Sequence, residues 1–221
     1  MRKTINWLLA VLMAAACAPL SKVSADSGSG WTLQQVCQKV EAAQTQAQDV
    51  QMDLKMRMRD TLSGQTQEVQ GEVDLKSPNL VYAHYRKPTE EFLYVDGEVA
   101  LMYRPDQKMV YRQKSAGAEP VYLGVGRELK GYVKTCRVSM DRNSGNQVEL
   151  LFKPKDSNAA FTSMKVTVDT KNWWPVRVEV ETPALNTQAE FSHFRFNQGL
   201  SAKLFQFTRP KGVDLVEGAI F

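Results

Sequence analysis

Residues 50–59 read VQMDLKMRMR, and residues 69–76 answer with VQGEVDLK. In the first run Val50, Met52, Leu54, Met56 and Met58 fall on every second position and alternate with Asp53, Lys55, Arg57 and Arg59. In the second, Val69, Val73 and Leu75 face one way while Gln70, Glu72, Asp74 and Lys76 face the other. A period of two marks a strand with one buried and one solvated face. Ser63-Gly64 between the runs supplies turn chemistry, so the pair reads as antiparallel neighbours.

The pattern continues downstream. FLYV (92–95) and EVALMY (98–103) flank Asp96-Gly97, a dipeptide that takes positive φ readily and is expected to close a two-residue hairpin. Ser77-Pro78, Lys87-Pro88 and Pro105-Asp106 mark further breaks between Val50 and Val110. From Ser115 to about Gly131 the alternation stops and glycines collect around Pro120, Val121, Leu123 and Leu129, which predicts a loop with one or two short helices. Strand pattern returns at Cys136, Val138 and Met140, at Met164, Val166 and Val168, and at Val176, Val178 and Val180. Upstream, Thr32 and Gln35 have capping-box spacing, and Leu33, Val36, Cys37, Val40 and Ala43 recur at helical intervals.

These elements predict an α+β, mainly β fold. Its centre is a single curved antiparallel sheet, an incomplete barrel of about ten or eleven strands. The outer face is charged, so no second sheet is expected there. The inner face needs a cover, and the N-terminal helix with the short helical insertion is the expected lid. The apolar lining is expected from Met52, Leu54, Met56, Val73, Leu75, Val99, Leu101, Val138, Val166 and Val178. Methionine there would leave a soft surface suited to flexible apolar ligands. Tyr82, Tyr85, Phe92, Tyr94 and Tyr103 either line such a cavity or pack as core.

The first residues read as a secretory signal. Arg2 and Lys3 precede an apolar core from Trp7 to about Ala18, and Val23-Ser24-Ala25 gives a cleavage site. Cleavage after Ala25 leaves 26–221 as one domain in the periplasm. A competing cut before Cys17 would produce a lipidated N-terminus, although Ala14 stands where such signals prefer a bulkier residue. Losing Arg2, Lys3 and Lys22 from 28 basic residues against 24 acidic ones brings the net charge to +1. That balance gives no footing for nucleic acid. Cys37 and Cys136 remain, either as a disulfide closing a long loop or as two separate buried thiols.

No catalytic constellation emerges. There is no glycine-serine-glycine elbow, His84 and His193 stand alone, and neither has a second ligand at metal-binding spacing. Gly124-Val125-Gly126 lacks the third glycine of a dinucleotide loop, and Glu90-Glu91 reads as a solvated pair. The expectation is a protein without enzymatic activity, metal or cofactor.

GEVDLKSPNLVYAHYRKP (71–88), FLYVDGEVALMYRPDQKMV (92–110), LLFKPKDSNAAFTSMKVTV (150–168) and FQFTRPKGVDLV (205–216) together resemble the periplasmic carriers of outer-membrane lipoproteins, LolA and its relatives. The closing pattern falls at Phe205, Phe207, Pro210, Gly212 and Val213. The resemblance implies a monomeric incomplete β-barrel that holds acyl chains of a lipoprotein or lipid cargo. It further implies an inner-membrane ABC-type release complex as donor and an outer-membrane lipoprotein as acceptor. Where such carriers have a lid-latching arginine before the first turn proline, this chain has Ser77, and Lys76 would point to the opposite face. The alternative is a lipid-sensing regulatory module of the same fold that binds a membrane-anchored partner.

Overall fold

The computed structural model describes residues 30–114, 129–218 and 220. The expected signal segment and most of the expected helical insertion lie outside these residues. Helix α1 (Leu33–Gln46) precedes β1 (Asp49–Asp60), β2 (Thr66–Lys76), β3 (Leu80–Lys87), β4 (Glu91–Val95), β5 (Val99–Arg104) and β6 (Met109–Lys114). Helix α2 (Leu129–Thr135) leads into β7 (Cys136–Ser144), β8 (Gln147–Pro154), β9 (Ser163–Asp169), β10 (Trp174–Glu181) and β11 (Leu185–Phe196). A 3-10 turn (Ala202–Phe205) and β12 (Asp214–Glu217) complete the order.

The strands form one open, curved 12-stranded sheet in the order β12-β6-β5-β4-β3-β2-β1-β11-β10-β9-β8-β7. Strands adjacent in this order pair antiparallel, and β1 joins the two halves through β11. β12 is the exception, running parallel to β6. Its four residues are too few to show a period, which is why the expected count falls one short and the expected sheet is wholly antiparallel.

Local chemistry fixes the ends of these elements. Thr32 Oγ1 accepts from the Gln35 amide at 3.2 Å while Gln35 Oε1 accepts from the Thr32 amide at 2.9 Å, so the capping box forms. Asp60 Oδ1 accepts from the Leu62 and Ser63 amides in the β1–β2 turn. The hairpin is the expected two-residue one, shifted by a position: the Asp96 amide bonds the Val99 carbonyl at 3.2 Å, which leaves Gly97 and Glu98 as the loop. Asp96 Oδ1 accepts from both Glu98 and Val99 amides at 2.9 and 2.8 Å, drawing Glu98 into the turn beside Gly97 at φ +92°.

Strand alternation sorts the side chains onto two faces. Val50, Met52, Leu54 and Met56 of β1, Val73 of β2, Leu150 and Phe152 of β8, and Val178 and Val180 of β10 belong to one buried inner cluster. Val36 and Val40 of α1 complete it from above. Gly71 sits opposite Leu54 on the inner face, where β2 shifts register against β3. A Cβ there would collide with the His84 carbonyl oxygen and lie 2.9 Å from Tyr85 Cα, so the close approach of β3 requires a glycine.

The outer face is not bare. After β11 the chain turns back through Asn197 and Gly199, both at positive φ, and residues 197–213 cross the outer face to reach β12 at the far edge. The crossing is pinned at its start by Asp49, which is 2 % exposed. The Asp49 carboxylate accepts from the Gln198, Gly199 and Leu200 amides at 2.6, 3.0 and 3.0 Å. Farther along, Phe207 packs on Tyr94 and Tyr103 at ring-centroid distances of 5.2 and 5.6 Å. Val110, Phe205 and Val213 are buried but lie outside the inner cluster, as a second apolar layer requires.

Two substitutions probe this arrangement. Asp49→Ala leaves three amides without their acceptor and is expected to cost about 3 kcal/mol in urea unfolding, with Asp49→Asn milder because one carbonyl oxygen remains. Gly71→Ala is expected to cost a similar amount, about 3 kcal/mol, by forcing β3 away from β2. Unfolding midpoints equal to that of the unaltered protein would contradict either assignment.

Candidate functional site

The inner face carries the main buried apolar cluster of the described residues, and the residues expected to line it divide unequally. Met52, Leu54, Met56, Val73, Val166 and Val178 are buried there, and Leu75 and Val138 are half-buried and packed against the same cluster. Val99 and Leu101 are not on this face. In β5 it is Ala100 and Met102 that point inward, while Val99 and Leu101 face outward and, with Tyr94, Phe205 and Phe207, line a hollow of about 380 Å³ beneath the C-terminal crossing. The run Val99-Ala100-Leu101-Met102-Tyr103 is apolar in both phases, so alternation cannot choose its face. Only the second cover, on the outer side, explains it.

The aromatic residues split by the same logic. Tyr82, Phe92, Tyr94 and Tyr103 lie on the outer face in a connected series of ring contacts. Tyr85 alone of the five points inward and is 4 % exposed. Sequence reasoning missed the inner positions Leu93, Val95 and Met102, for which the phase of Tyr85 would have been the guide.

Among the described residues, the cover over the inner face is slight. α1 contributes Val36 and Val40 as fully buried side chains, with Leu33, Cys37 and Ala43 partly buried beside them. At its start, Trp31 meets Trp173 of the β9–β10 turn edge to face at 5.0 Å, and Lys39 Nζ lies 5.1 and 5.3 Å from the two ring centroids. α2 adds Tyr132, which contacts the rings of Phe152 and Phe161. Ser77 is exposed at the end of β2, where its amide bonds the Gln48 carbonyl at 2.9 Å, and Lys76 pairs in register with Asp49. The helix is therefore fastened by the Trp31–Trp173–Lys39 group, at the opposite half of the sheet from Ser77.

Few polar groups interrupt the inner face. Glu91 Oε1 accepts from Arg104 Nε at 2.8 Å, both about a quarter exposed, and the Arg104 guanidinium lies 4.9 Å from the Tyr111 ring centroid. Tyr85 Oη, Trp174 Nε1 and Gln44 Oε1 are buried without a hydrogen-bond partner. Burial, with a smaller contribution from Glu91, holds the Tyr85 hydroxyl well above the ordinary phenol range, so it stays a donor. The histidines are elsewhere. His84 stacks on Phe92 at 4.5 Å and reaches Glu90 at 3.0 Å, while His193 meets Asp53 at 2.8 Å in the solvated face of the β1–β11 bulge.

Cys37 and Cys136 are both free thiols, so the bridge offered as one alternative is not formed. Each lies on the apolar side of its own element, which accounts for burial and does not require pairing. Burial, followed by the nearby Glu41 carboxylate, pushes the Cys37 thiol above its usual value.

The arrangement is a broad methionine-rich apolar surface under a thin cover, with isolated donors and no assembled reaction centre among the described residues. The family model described as "Outer membrane lipoprotein carrier protein LolA" matches residues 42–208. The outer-membrane lipoprotein carrier protein of Pseudomonas paraeruginosa is 27 % identical over 154 residues, covering 68 % of this chain and 73 % of that one. An uncharacterized conserved protein from Thermus thermophilus shares the fold at TM-score 0.54 and 13 % identity, covering 84 % of this chain and 98 % of that one. MucB shares it at TM-score 0.50 and 14 % identity, over 82 % of this chain and 65 % of its own.

The thiol assignment is directly measurable. Protein lacking residues 1–25, denatured without reductant, should take up two alkyl groups by mass, and native Cys37 should react with a thiol probe more slowly at pH 7.5 than free cysteine. Uptake only after reduction would establish the bridge instead.

Proposed function

Because this chain belongs to the LolA family of outer-membrane lipoprotein carrier proteins, we propose that it carries the acyl chains of a lipoprotein, or of a related envelope lipid, through the periplasm on its inner face. The observation that supports this reading is the mismatch between a large apolar surface and the little that holds its cover. Val36 and Val40 contribute together about 4 kcal/mol of burial, and the Lys39 cation–π contacts add about 1 to 2 kcal/mol. A long acyl chain brought out of water is worth on the order of 10 kcal/mol, at about 0.8 kcal/mol per methylene. One chain therefore outweighs the two buried valines and the Lys39 contacts taken together.

Methionines suit the surface to this exchange. Met52, Met56, Met102 and Met164 are all buried on the inner cluster or its β5 extension. Their unbranched thioethers repack against an incoming chain more readily than branched side chains do. The helix contacts would offset part of the cost of giving cargo up, since α1 would return to the sheet when cargo leaves. Transfer would then run from an inner-membrane ABC-type release complex to an outer-membrane acceptor lipoprotein, with this protein as a non-catalytic intermediate.

Mass spectrometry of material co-purifying with protein taken from the periplasm tests the proposal. Recovery of intact acylated lipoprotein or lipid in near-stoichiometric amount is the expected result. Recovery of none, from protein that is folded by circular dichroism, would remove the carrier assignment, and recovery of hydrolysed acyl chains would replace it with an enzyme.

A further inference from the structure

Tyr85 combines features that packing alone does not explain. Its side chain is on the inner face, it is 4 % exposed, and its hydroxyl has no hydrogen-bond partner. The neighbours in register show why. On the β4 side it stands opposite Glu91, whose Oε1 is already taken by Arg104 Nε. On the β2 side it stands opposite Gly71, which has no side chain to offer. Native proteins leave few buried polar atoms unsatisfied, because the group loses its water and gains nothing in return. Phenylalanine would fill the same space without that penalty.

The unpaired atom is a donor, and it stays protonated throughout the physiological range because burial disfavours its ionised form. It therefore suits an acceptor that enters with an apolar ligand. An ester carbonyl oxygen is such an acceptor, joining a fatty chain to its glyceryl headgroup and carrying no proton of its own. On the β2 side Gly71 offers no side chain and the β3 backbone closes against it, while on the β4 side the Glu91–Arg104 pair, about a quarter exposed, places charge beside the ring. The boundary between apolar lining and polar rim thus passes next to the hydroxyl.

We propose that Tyr85 Oη is the polar anchor for cargo, donating a hydrogen bond to the acyl ester carbonyl and so fixing how deeply the fatty chains enter. This rests on the carrier reading and adds a residue and a chemical group to it. Diacylglyceryl peptides and phospholipids share that ester, and the measurement separates them.

The test is Tyr85→Phe in the otherwise intact protein, titrated with three probes: a synthetic dipalmitoylglyceryl-cysteine peptide, its diether analogue lacking both carbonyls, and a short-chain phosphatidylglycerol. The unaltered protein should bind the diester peptide about tenfold more tightly than the diether. Tyr85→Phe should lose about tenfold on the diester and nothing on the diether. The same loss on phosphatidylglycerol extends the anchor to phospholipid, and a loss confined to the peptide assigns it to lipoprotein cargo. The thermal midpoint of the ligand-free variant should stay level or rise, because no internal bond is removed. A lower midpoint, or equal losses on diester and diether, would show a structural hydroxyl and overturn the anchor. Binding of both peptides with no change in the variant would also overturn it while leaving the carrier reading intact, whereas an unaltered protein that binds no probe removes both.

Discussion

A sheet with an apolar inner face must be covered, and nearly all of the regular structure among the described residues belongs to the sheet itself. Twelve strands share one layer, and the described helices over them are of 14 and 7 residues. In a protein built only for stability, a second sheet or several helices would seal that surface with many large side chains. Here the first helix offers two fully buried valines and an aromatic fastening at its start. The thinness of this cover among the described residues is what the proposed carrier role rests on.

The outer face shows the opposite design. Its crossing segment is tied to the sheet by directed bonds from a buried carboxylate and by stacked aromatic rings. Charge-assisted hydrogen bonds to consecutive amides hold a segment in one geometry, whereas methyl contacts between a helix and a sheet permit sliding and separation. In the proposed carrier role, this contrast would let the cover yield to cargo while the sheet keeps its curvature. Gly71 serves the sheet itself, since it lets β3 approach β2 closely at the register shift beside Tyr85.

Much of the inner face was legible in the chain because amphipathic strands declare their faces. β1, with charged residues in one phase and methionines in the other, placed Met52, Leu54 and Met56 without ambiguity, and Val73, Val166 and Val178 followed from the same rule. β3 through β5 resisted it, because both faces of these strands are covered and both phases are apolar. Val99 and Leu101 went to the wrong side for that reason, and the aromatic group under Phe207 had no periodic signature. The unpaired Tyr85 hydroxyl was equally invisible, since satisfaction of a polar atom depends on which atoms surround it in space.

The sequence by itself determined the strand content, the capped first helix, the main turns and the family to which the chain belongs. These depend on residue spacing along the backbone, and local periodicity records it directly. Only the tertiary structure decided that the C-terminal segment returns across the outer face, that β12 joins β6 in parallel, and that Cys37 and Cys136 remain separate. It also decided which polar atoms stay without partners. Each of these outcomes joins residues distant in sequence, and no short-range pattern encodes which distant groups compete for one surface or one hydrogen bond.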